Sequence, residues 1–562
     1  MYIAPNSVIR LLTHVPIDKN QTDTLWFANV TDQINYFASK TKVTCVNQSY
    51  QRVQRGYARL EVRADTIYDC NYMMFQNTNY GSKWFYAFIN NVEYINNEVS
   101  EIHFTIDPVQ SWFFDYTLHQ CWIERCTPAT DNVGENIQPE PVQLGEYVIN
   151  GGDYGVVGLD TRDLCFVVLM SDPQHNADFY GGGIYNNVPS AGKLYAFGCN
   201  TDGILAFNEL IINSDPVLKA PDALLMLYMC PVALVGKTNQ QLINRSNLSE
   251  HLIANSTGQS NTAYTLSALN PATLTLDGYS PRNKKCFTYP YTFYSIDNGQ
   301  GQSMVLRYEF FDNLTPKVRI GGNSTYPVEL TCFPYQYKNS PSGSSTDFGE
   351  NRMEKLSIKG FPQGAWAMDS WAAWVAQNSV PILIDGAMAA LPMIATAGMG
   401  AIAGGAMAGT MVSGSMTAET FNAGMSASSP LDILGTVGNI AKQAYSASIQ
   451  ADIVKGSIQT GSNDASAERL VFKGGCMTLP YTIIRNIDKF FDMFGYAQNR
   501  YMNVNIHART RWTYVKTIGA NIDGSLPADD AQYIANCYDR GIRFWADTAS
   551  PCDYTARNLF IS

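Results

Sequence analysis

At 562 residues the chain is long enough for several hydrophobic cores. Hydrophobic residues make up 46% and charged residues only 15%, against a usual charged share of roughly 25%. The net charge of −11 excludes a protein whose affinity comes from Lys and Arg displacing the counterions of phosphate.

Residues 1–20 show no basic run followed by an apolar core and a cleavage site, so we expect a chain made in the cytoplasm and not exported by the general route. The N-x-S/T triplets at Asn29, Asn247, Asn255 and Asn323 then carry no glycosylation meaning. The first 130 residues read as β. Residues 83–95 (KWFYAFINNVEYI) are an aromatic strand interrupted at Asn90-Asn91. Asn96-Asn97 offers a turn, and 99–107 (VSEIHFTID) return with Ile102, Phe104 and Ile106 on one face and His103, Thr105 and Asp107 on the other. Such alternation around a turn predicts a hairpin, which Pro108 ends.

Between 130 and 280 the pattern is mixed. Residues 164–170 (LCFVVLM) predict a buried strand. Residues 223–235 (ALLMLYMCPVALV) are too short for a bilayer, which takes about 20 apolar residues, and read as core interrupted by Pro231. The Asn-, Ser- and Thr-rich stretch 239–271 reads as a loop or a mobile surface. Strands return over 285–334 (YPYTFYSID, SMVLRYEFF, KVRI, PVELTCF), with a turn at Gly299-Gln300-Gly301, and 338–349 reads as a linker.

At Gln363 the character changes. Residues 365–378 (AWAMDSWAAWVAQN) predict a helix ended by Pro381. Residues 386–418 then contain no charged side chain over 33 positions, between Asp385 and Glu419. A helix of that length would reach about 50 Å, beyond the ~30 Å hydrocarbon core. Ala, Gly and Met dominate; the larger apolar side chains are Met388, Leu391, Met393, Ile394, Met399, Ile402, Met407, Met411, Val412 and Met416, with Ala387 near the start. Two readings stand side by side. In one, the stretch is a buried hairpin packed on the helix that follows. In the other, it stays shielded until exposure lets it enter a bilayer. The following helix, 431–458, carries Ile433, Val437, Ile440, Ala444, Ala447, Ala451 and Val454 on one stripe. Ser429, Pro430 and Asp432 mark its start. Residues 466–562 return to mixed structure, with a strand at 511–517 and a surface helix at 529–540.

Nothing nominates a catalyst. The six histidines form no H-E-x-x-H or close ligand pair, and there is no G-x-S-x-G, phosphate loop or dinucleotide fingerprint. His103 reads as a surface or interface residue. The twelve cysteines include no C-x-x-C and read as buried small hydrophobes, Cys121 and Cys126 being the closest pair. We therefore expect no catalytic residue, no cofactor and no metal ligand.

Three blocks resemble the tail knob proteins of phi29-like podoviruses, small phages of Gram-positive bacteria. They are 72–115, with M-F-Q-N-x-x-Y-G-x-K-W-F-Y-A-F, H-F-x-I-D and Q-x-W-x-F-D; 289–309, with Y-P-Y; and 490–545, with FFDMFGY, NRYMNVN, RTRWTYVKT and DRGIRFW. Together they cover about a fifth of the chain, towards both ends, and residues 130–280 show little likeness. The resemblance implies a virion protein at the distal end of the tail, assembled in the host cytoplasm with other tail proteins. It implies a hexameric tube through which genomic DNA passes without sequence-specific binding. It also implies that an apolar loop plugs the lumen and later acts on the host cytoplasmic membrane, and 386–418 lies where such a loop would be. A closed ring uses two different faces of each subunit; Trp84, Phe85, Phe88, Trp112 and Phe113 are the candidate interface.

The expected fold class is α+β, mainly β and multidomain, with a long helical and apolar insertion. The expected division is a β-rich wall domain at 1–128, a mixed peripheral domain at 129–280, a β-rich domain at 281–349, a helical segment with the membrane-active loop at 350–465, and an α/β wall domain at 466–562. A pore-forming toxin shares the Ala/Gly-rich segment but usually needs export, and a cell-wall-degrading tail enzyme needs a carboxylate pair that no residue here announces.

Overall fold

Tyr72 to Phe75 and Tyr86 to Ile89 are runs of four consecutive buried side chains, which a strand achieves only when both faces of its sheet are covered. This pattern organises the first part of the computed structural model. The structure describes residues 6–48, 56–77, 81–152, 154–170, 184–185, 188–189, 192–212, 224–253, 259–338, 354–361, 363–365, 470–504 and 513–554. The uncharged stretch 386–418, the stripe from residue 433 to 454, the helix candidate beyond residue 365 and the linker beyond residue 338 lie outside them. The described residues are β-rich with few helices, and they group into two compact units. Unit 1 comprises Met1–Glu146, Thr275–Tyr291 and Leu479–Ser562; unit 2 comprises Tyr147–Leu274 and Thr292–Thr478. Residues 129–280, taken above as one stretch, contribute to both.

The N-terminal part of unit 1 runs β1 (Ser7–Thr13), β2 (Asp23–Leu25), α1 (Val30–Ser39), β3 (Thr41–Gln48), β4 (Tyr57–Leu60), α2 (Ala64–Ile67), β5 (Cys70–Asn77), β6 (Trp84–Tyr94), β7 (Ser100–Ile106), α3 (Pro108–Ser111), β8 (Tyr116–Leu118) and β9 (Cys121–Cys126). Six of these strands form an antiparallel sheet in the order β3-β1-β5-β6-β7-β4. One face buries Met73, Phe75, Ala87, Ile89, Ile102 and Phe104; the other buries Tyr72, Met74, Tyr86 and Phe88 against Phe37 of α1. Each such side chain contributes about 1.5–3 kcal/mol on burial. The β6–β7 hairpin matches the sequence reading. Its register shifts between Ile89 and Asn91, and Asn96 Oδ1 accepts from the backbone N–H groups of Glu98 and Val99 to close the turn. Helix α1, within a region read as β, starts at Asn29, whose Oδ1 accepts from Asp32 N. Asn247 caps another helix in the same way, so these two triplets serve helix starts.

Unit 2 runs β10 (Val148–Ile149), β11 (Gly155–Val156), β12 (Leu164–Met170), β13 (Ile184–Tyr185), β14 (Val188–Pro189), β15 (Lys193–Gly198), α4 (Thr201–Phe207), β16 (Leu224–Pro231), α5 (Val232–Val235), α6 (Asn239–Leu242), α7 (Leu248–His251), β17 (Gln259–Thr265), β18 (Thr292–Asp297), β19 (Ser303–Leu306), β20 (Lys317–Asn323), β21 (Glu329–Pro334), β22 (Leu356–Ile358), β23 (Gln363–Ala365) and β24 (Lys473–Thr478). Its sheets are β15-β12-β16-β23, β17-β20-β21-β22, β10-β24-β18-β19 with β11 also on β24, and the two-stranded β13-β14. The buried strand expected at 164–170 is β12, paired on both sides. The apolar run before Val235 is β16 followed by α5, changing at Pro231. Two expectations need correction. Residues 239–271 are not loop throughout: among the described residues they hold α6, α7 and β17, and buried His251 places its ring nitrogens 2.8 and 2.7 Å from the carbonyls of Ala196 and Asn244. The strand expected over 303–311 stops at Leu306, and a 3-10 turn follows at Tyr308–Phe310.

The returning part of unit 1 runs α8 (Tyr481–Phe494), β25 (Tyr496–Met502), β26 (Thr513–Ile518), β27 (Ile522–Gly524), α9 (Ala528–Arg540) and β28 (Ile542–Trp545). These complete a sheet β2-β28-β26-β9-β25, in which β2 and β28 are parallel, and a two-stranded β27-β8. Helix α9 is not only a surface helix, for Ile534, Ala535, Cys537 and Tyr538 are buried.

Candidate functional site

The uncharged segment falls within residues 366–469, which connect two described stems of unit 2, and the two stems differ. The outgoing stem is β23, which among the described residues lies at the edge of its sheet on β16, with the pairs Met226–Ala365, Leu227–Gly364 and Tyr228–Gln363. The returning stem is β24, held between β18 on one side and β10 and β11 on the other. Leu470, Val471 and Phe472 lead into it and are buried. Val157 N donates to Phe472 O at 2.7 Å, and the Thr161 hydroxyl donates to Leu470 O. A Cβ at Gly474 would lie 2.7 Å from Ser295 O, so only glycine lets the sheet close there. Among the described residues one stem is therefore paired on one side and the other on both. Among the described residues no helix is long and apolar enough to cross a membrane.

Unit 1 holds a buried polar hub. Helix α8 turns Ile484, Ile487, Asp488, Phe491 and Asp492 inward, an apolar stripe in which two positions are carboxylates. Asp488 accepts from Tyr279 OH at 2.8 Å and from the backbone N–H groups of Arg282 (3.1 Å) and Asn283 (3.0 Å). Asp492 pairs with Arg282 and accepts from Asn283 Nδ2 at 2.9 Å; burial, offset by Asn283, pushes its carboxyl up to about 7. The side chain of Glu140 is fully buried, lies 2.5 Å from both Arg125 Nη1 and Lys285 Nζ and accepts from Ala497 N at 2.8 Å. Burial holds the Lys285 ammonium below its ordinary value, which Glu140 opposes. Asp131 accepts from Lys284 N and Tyr496 OH. These bonds join three stretches of unit 1 that are far apart in sequence. Sequence reasoning missed them, because carboxylates at scattered positions read as solvated.

The candidate interface divides. Phe88, Trp112 and Phe113 are buried within unit 1, Phe88 against α1 and the other two in the core shared with α9. The Trp112 indole N–H donates to Asp530 at 2.9 Å. Trp84 and Phe85 are half-buried; Arg10 lies over the Trp84 ring, and Phe85 stacks on Phe75. Cys121 and Cys126 are both buried on one strand. Burial pushes up the Cys121 thiol and those of Cys165, Cys230 and Cys286, consistent with inert core positions. Residues 387–416 and 433–454 lie outside the described residues, so the structure places neither the loop nor the stripe.

Comparison with known proteins gives the class. Residues 5–117, which span the six-stranded sheet, match the caudoviral major tail protein N-terminus, and residues 254–559 match the C-terminal domain of Bacillus phage phi29 tail knob protein gp9. This is a structural protein of a phage tail, located in the tail of the virion, and not an enzyme. The second match covers more than half of the chain, which therefore belongs to the phi29 tail knob protein gp9 family. It is 26% identical to the tail knob protein gp9 of Bacillus phage B103, over 98% of each chain. To that of Bacillus phage phi29 it is 23% identical, over 96% of each. The solved tail knob protein gp12 of bacteriophage C1 shares the fold, with a TM-score of 0.59 at 12% identity, over 99% of this chain and all of that one. Because the relatives are structural, the wall-degrading alternative falls.

Proposed function

We propose that six copies of the chain close into a hollow tube at the distal end of the tail, that genomic DNA leaves through it, and that residues 386–418 plug the lumen and then enter the host cytoplasmic membrane. Assembly takes place in the host cytoplasm, beside other tail proteins. The observation that carries this reading is the 33-residue stretch without a charge, in a structural tail protein, strung between two stems that, among the described residues, are paired on one side and on both. Six such stretches can bury one another inside a lumen and so leave water. A bilayer supplies an equivalent apolar environment, so release needs only a small bias. The three-residue pairing of β23 with β16 can be shed at modest cost, while β24 keeps the chain tethered. The net charge of −11 suits a conduit, since such a wall does not grip phosphate.

The test compares the full chain with a variant lacking 386–418. Both should form rings by electron microscopy, and only the full chain should release dye from anionic liposomes. Equal leakage from the two would remove the membrane role. Compact monomers from both would remove the tube.

A further inference from the structure

Three side chains on the β6–β7 hairpin of unit 1 meet at the surface although no sequence motif joins them. Glu93 on β6 is directly opposite Glu101 on β7, and His103 lies two residues along β7 on the same face. Two carboxylates opposite each other in a sheet repel and destabilise the pair unless a cation intervenes. Arg59, opposite Glu101 on β4, satisfies one oxygen only: its Nε lies 2.6 Å from Glu101 Oε2. That contact turns Glu101 Oε1 towards the histidine.

His103 Nε2 then stands 3.3 Å from Glu93 Oε2 and 3.4 Å from Glu101 Oε1. One ring nitrogen faces two acceptors, and a single N–H cannot point at both. The three ligand atoms all lie within 4.8 Å of one another. A tetrahedral ion with bonds of about 2.0–2.1 Å needs ligands about 3.3 Å apart, which two of these separations already match. The exposures fit a site open on one side: 58% for Glu93, 40% for His103 and 11% for Glu101, leaving room for water to complete the shell.

We propose that Glu93, Glu101 and His103 form a surface site for a first-row divalent transition metal of the Zn2+ type. One imidazole nitrogen with two carboxylate oxygens suits zinc or cobalt, whereas Ca2+ and Mg2+ take oxygen shells. Arg59 is the positioning residue, holding Glu101 as a ligand's hydrogen-bond partner commonly does. The ion cancels the repulsion between the two carboxylates. It also clamps β6 to β7 beyond the irregularity at Asn90, where the hairpin runs out to exposed Tyr94 and Ile95.

The experiment uses the metal-stripped full chain, titrated with ZnCl2 by calorimetry and with CoCl2 by visible absorption. The variants are His103→Ala, Glu93→Gln and, away from the site, His119→Ala. Wild type and His119→Ala should bind one ion with the same affinity and show cobalt bands of oxygen and nitrogen ligation. His103→Ala and Glu93→Gln should each weaken that site at least about tenfold. Zinc should also slow amide hydrogen exchange across β6 and β7 in wild type and not in His103→Ala. All three substitutions are at exposed positions, and unchanged near-ultraviolet circular dichroism verifies the folds. No zinc binding by wild type, or unaltered binding in both site variants, overturns the proposal; so does a cobalt spectrum dominated by thiolate charge transfer.

Discussion

Glu140 places a carboxylate oxygen 2.5 Å from the ammonium of Lys285, 145 residues away, and both side chains are almost wholly withdrawn from solvent. Arg125 reaches the other oxygen of the same carboxylate. An ion pair this deep gains little net free energy over an apolar replacement, but breaking it is costly, because the surviving charge keeps its desolvation penalty. Unit 1 is assembled from three stretches separated by the whole of unit 2. The triad ties the outgoing strand β9 to the 275–291 crossing and to β25. We predict that Glu140→Ala lowers stability by about 3–5 kcal/mol, measured by chemical denaturation. Adding Lys285→Met should recover part of that loss, since it removes a cation left without its partner. A single substitution costing less than about 1 kcal/mol would contradict the role of the triad.

The Asp492 carboxyl, raised by burial to about 7, makes a separable prediction. In the unfolded chain an aspartate ionises near 3.9. Between about pH 4 and 7 the folded protein holds a proton that the unfolded chain has lost. The contribution of this group to stability is therefore full below about pH 4 and is lost as pH rises through 7. Asp492→Asn, which cannot ionise, should compare least well with wild type at pH 5 and better at pH 8. Denaturation midpoints at the two pH values check this. A difference between variant and wild type that does not change with pH would assign the buried carboxyl an ordinary acidity.

The sequence disclosed what local chemistry writes. The β6–β7 hairpin showed through alternation at Ile102 and Phe104 and the Asn96 turn, and β12 through its unbroken apolar run. Helix α1 escaped because VTDQINYFAS is poor in strong helix formers; the useful signal was Asn29 placed three residues before Asp32. The hub was illegible for another reason. Asp488 and Asp492 sit at inward positions of an amphipathic helix, where binary patterning leads a reader to expect apolar side chains, and their partners Tyr279, Arg282 and Asn283 are about 205 residues upstream. The triad of Glu93, Glu101 and His103 depends on strand register, which spacing alone does not reveal. The burial of Phe88, Trp112 and Phe113 was equally hidden, because aromatic enrichment marks cores as readily as interfaces.

Gly495 ends α8 with φ +62 and ψ −156, and a Cβ there would run into the backbone of Cys126 and Thr127. Its carbonyl also accepts from Arg125 Nη2 at 2.7 Å. Gly519 has a similar φ of +68 but open space around it. Gly495→Ala should therefore cost more than Gly519→Ala, which carries only backbone strain of about 1–3 kcal/mol. Parallel denaturation curves decide it. Equal losses would show that the close approach to β9 adjusts without penalty.

Trp84 remains the better interface candidate once its neighbours are assigned to the core. It begins β6, is half-buried, and carries the Arg10 guanidinium 4.9 Å above its ring. An aspartate at this position can still meet Arg10, so the subunit should keep its fold while losing an aromatic contact surface. Phe113, fully buried beside Phe114 and Phe544, has no such latitude, and its truncation to Ala should cost about 3–5 kcal/mol. We therefore predict opposite signatures. Trp84→Asp should melt near the wild-type temperature and yield fewer rings by native mass measurement. Phe113→Ala should melt well below wild type, with ring yield falling only as the fold is lost. Full ring assembly by Trp84→Asp would move the subunit contact to another part of the surface.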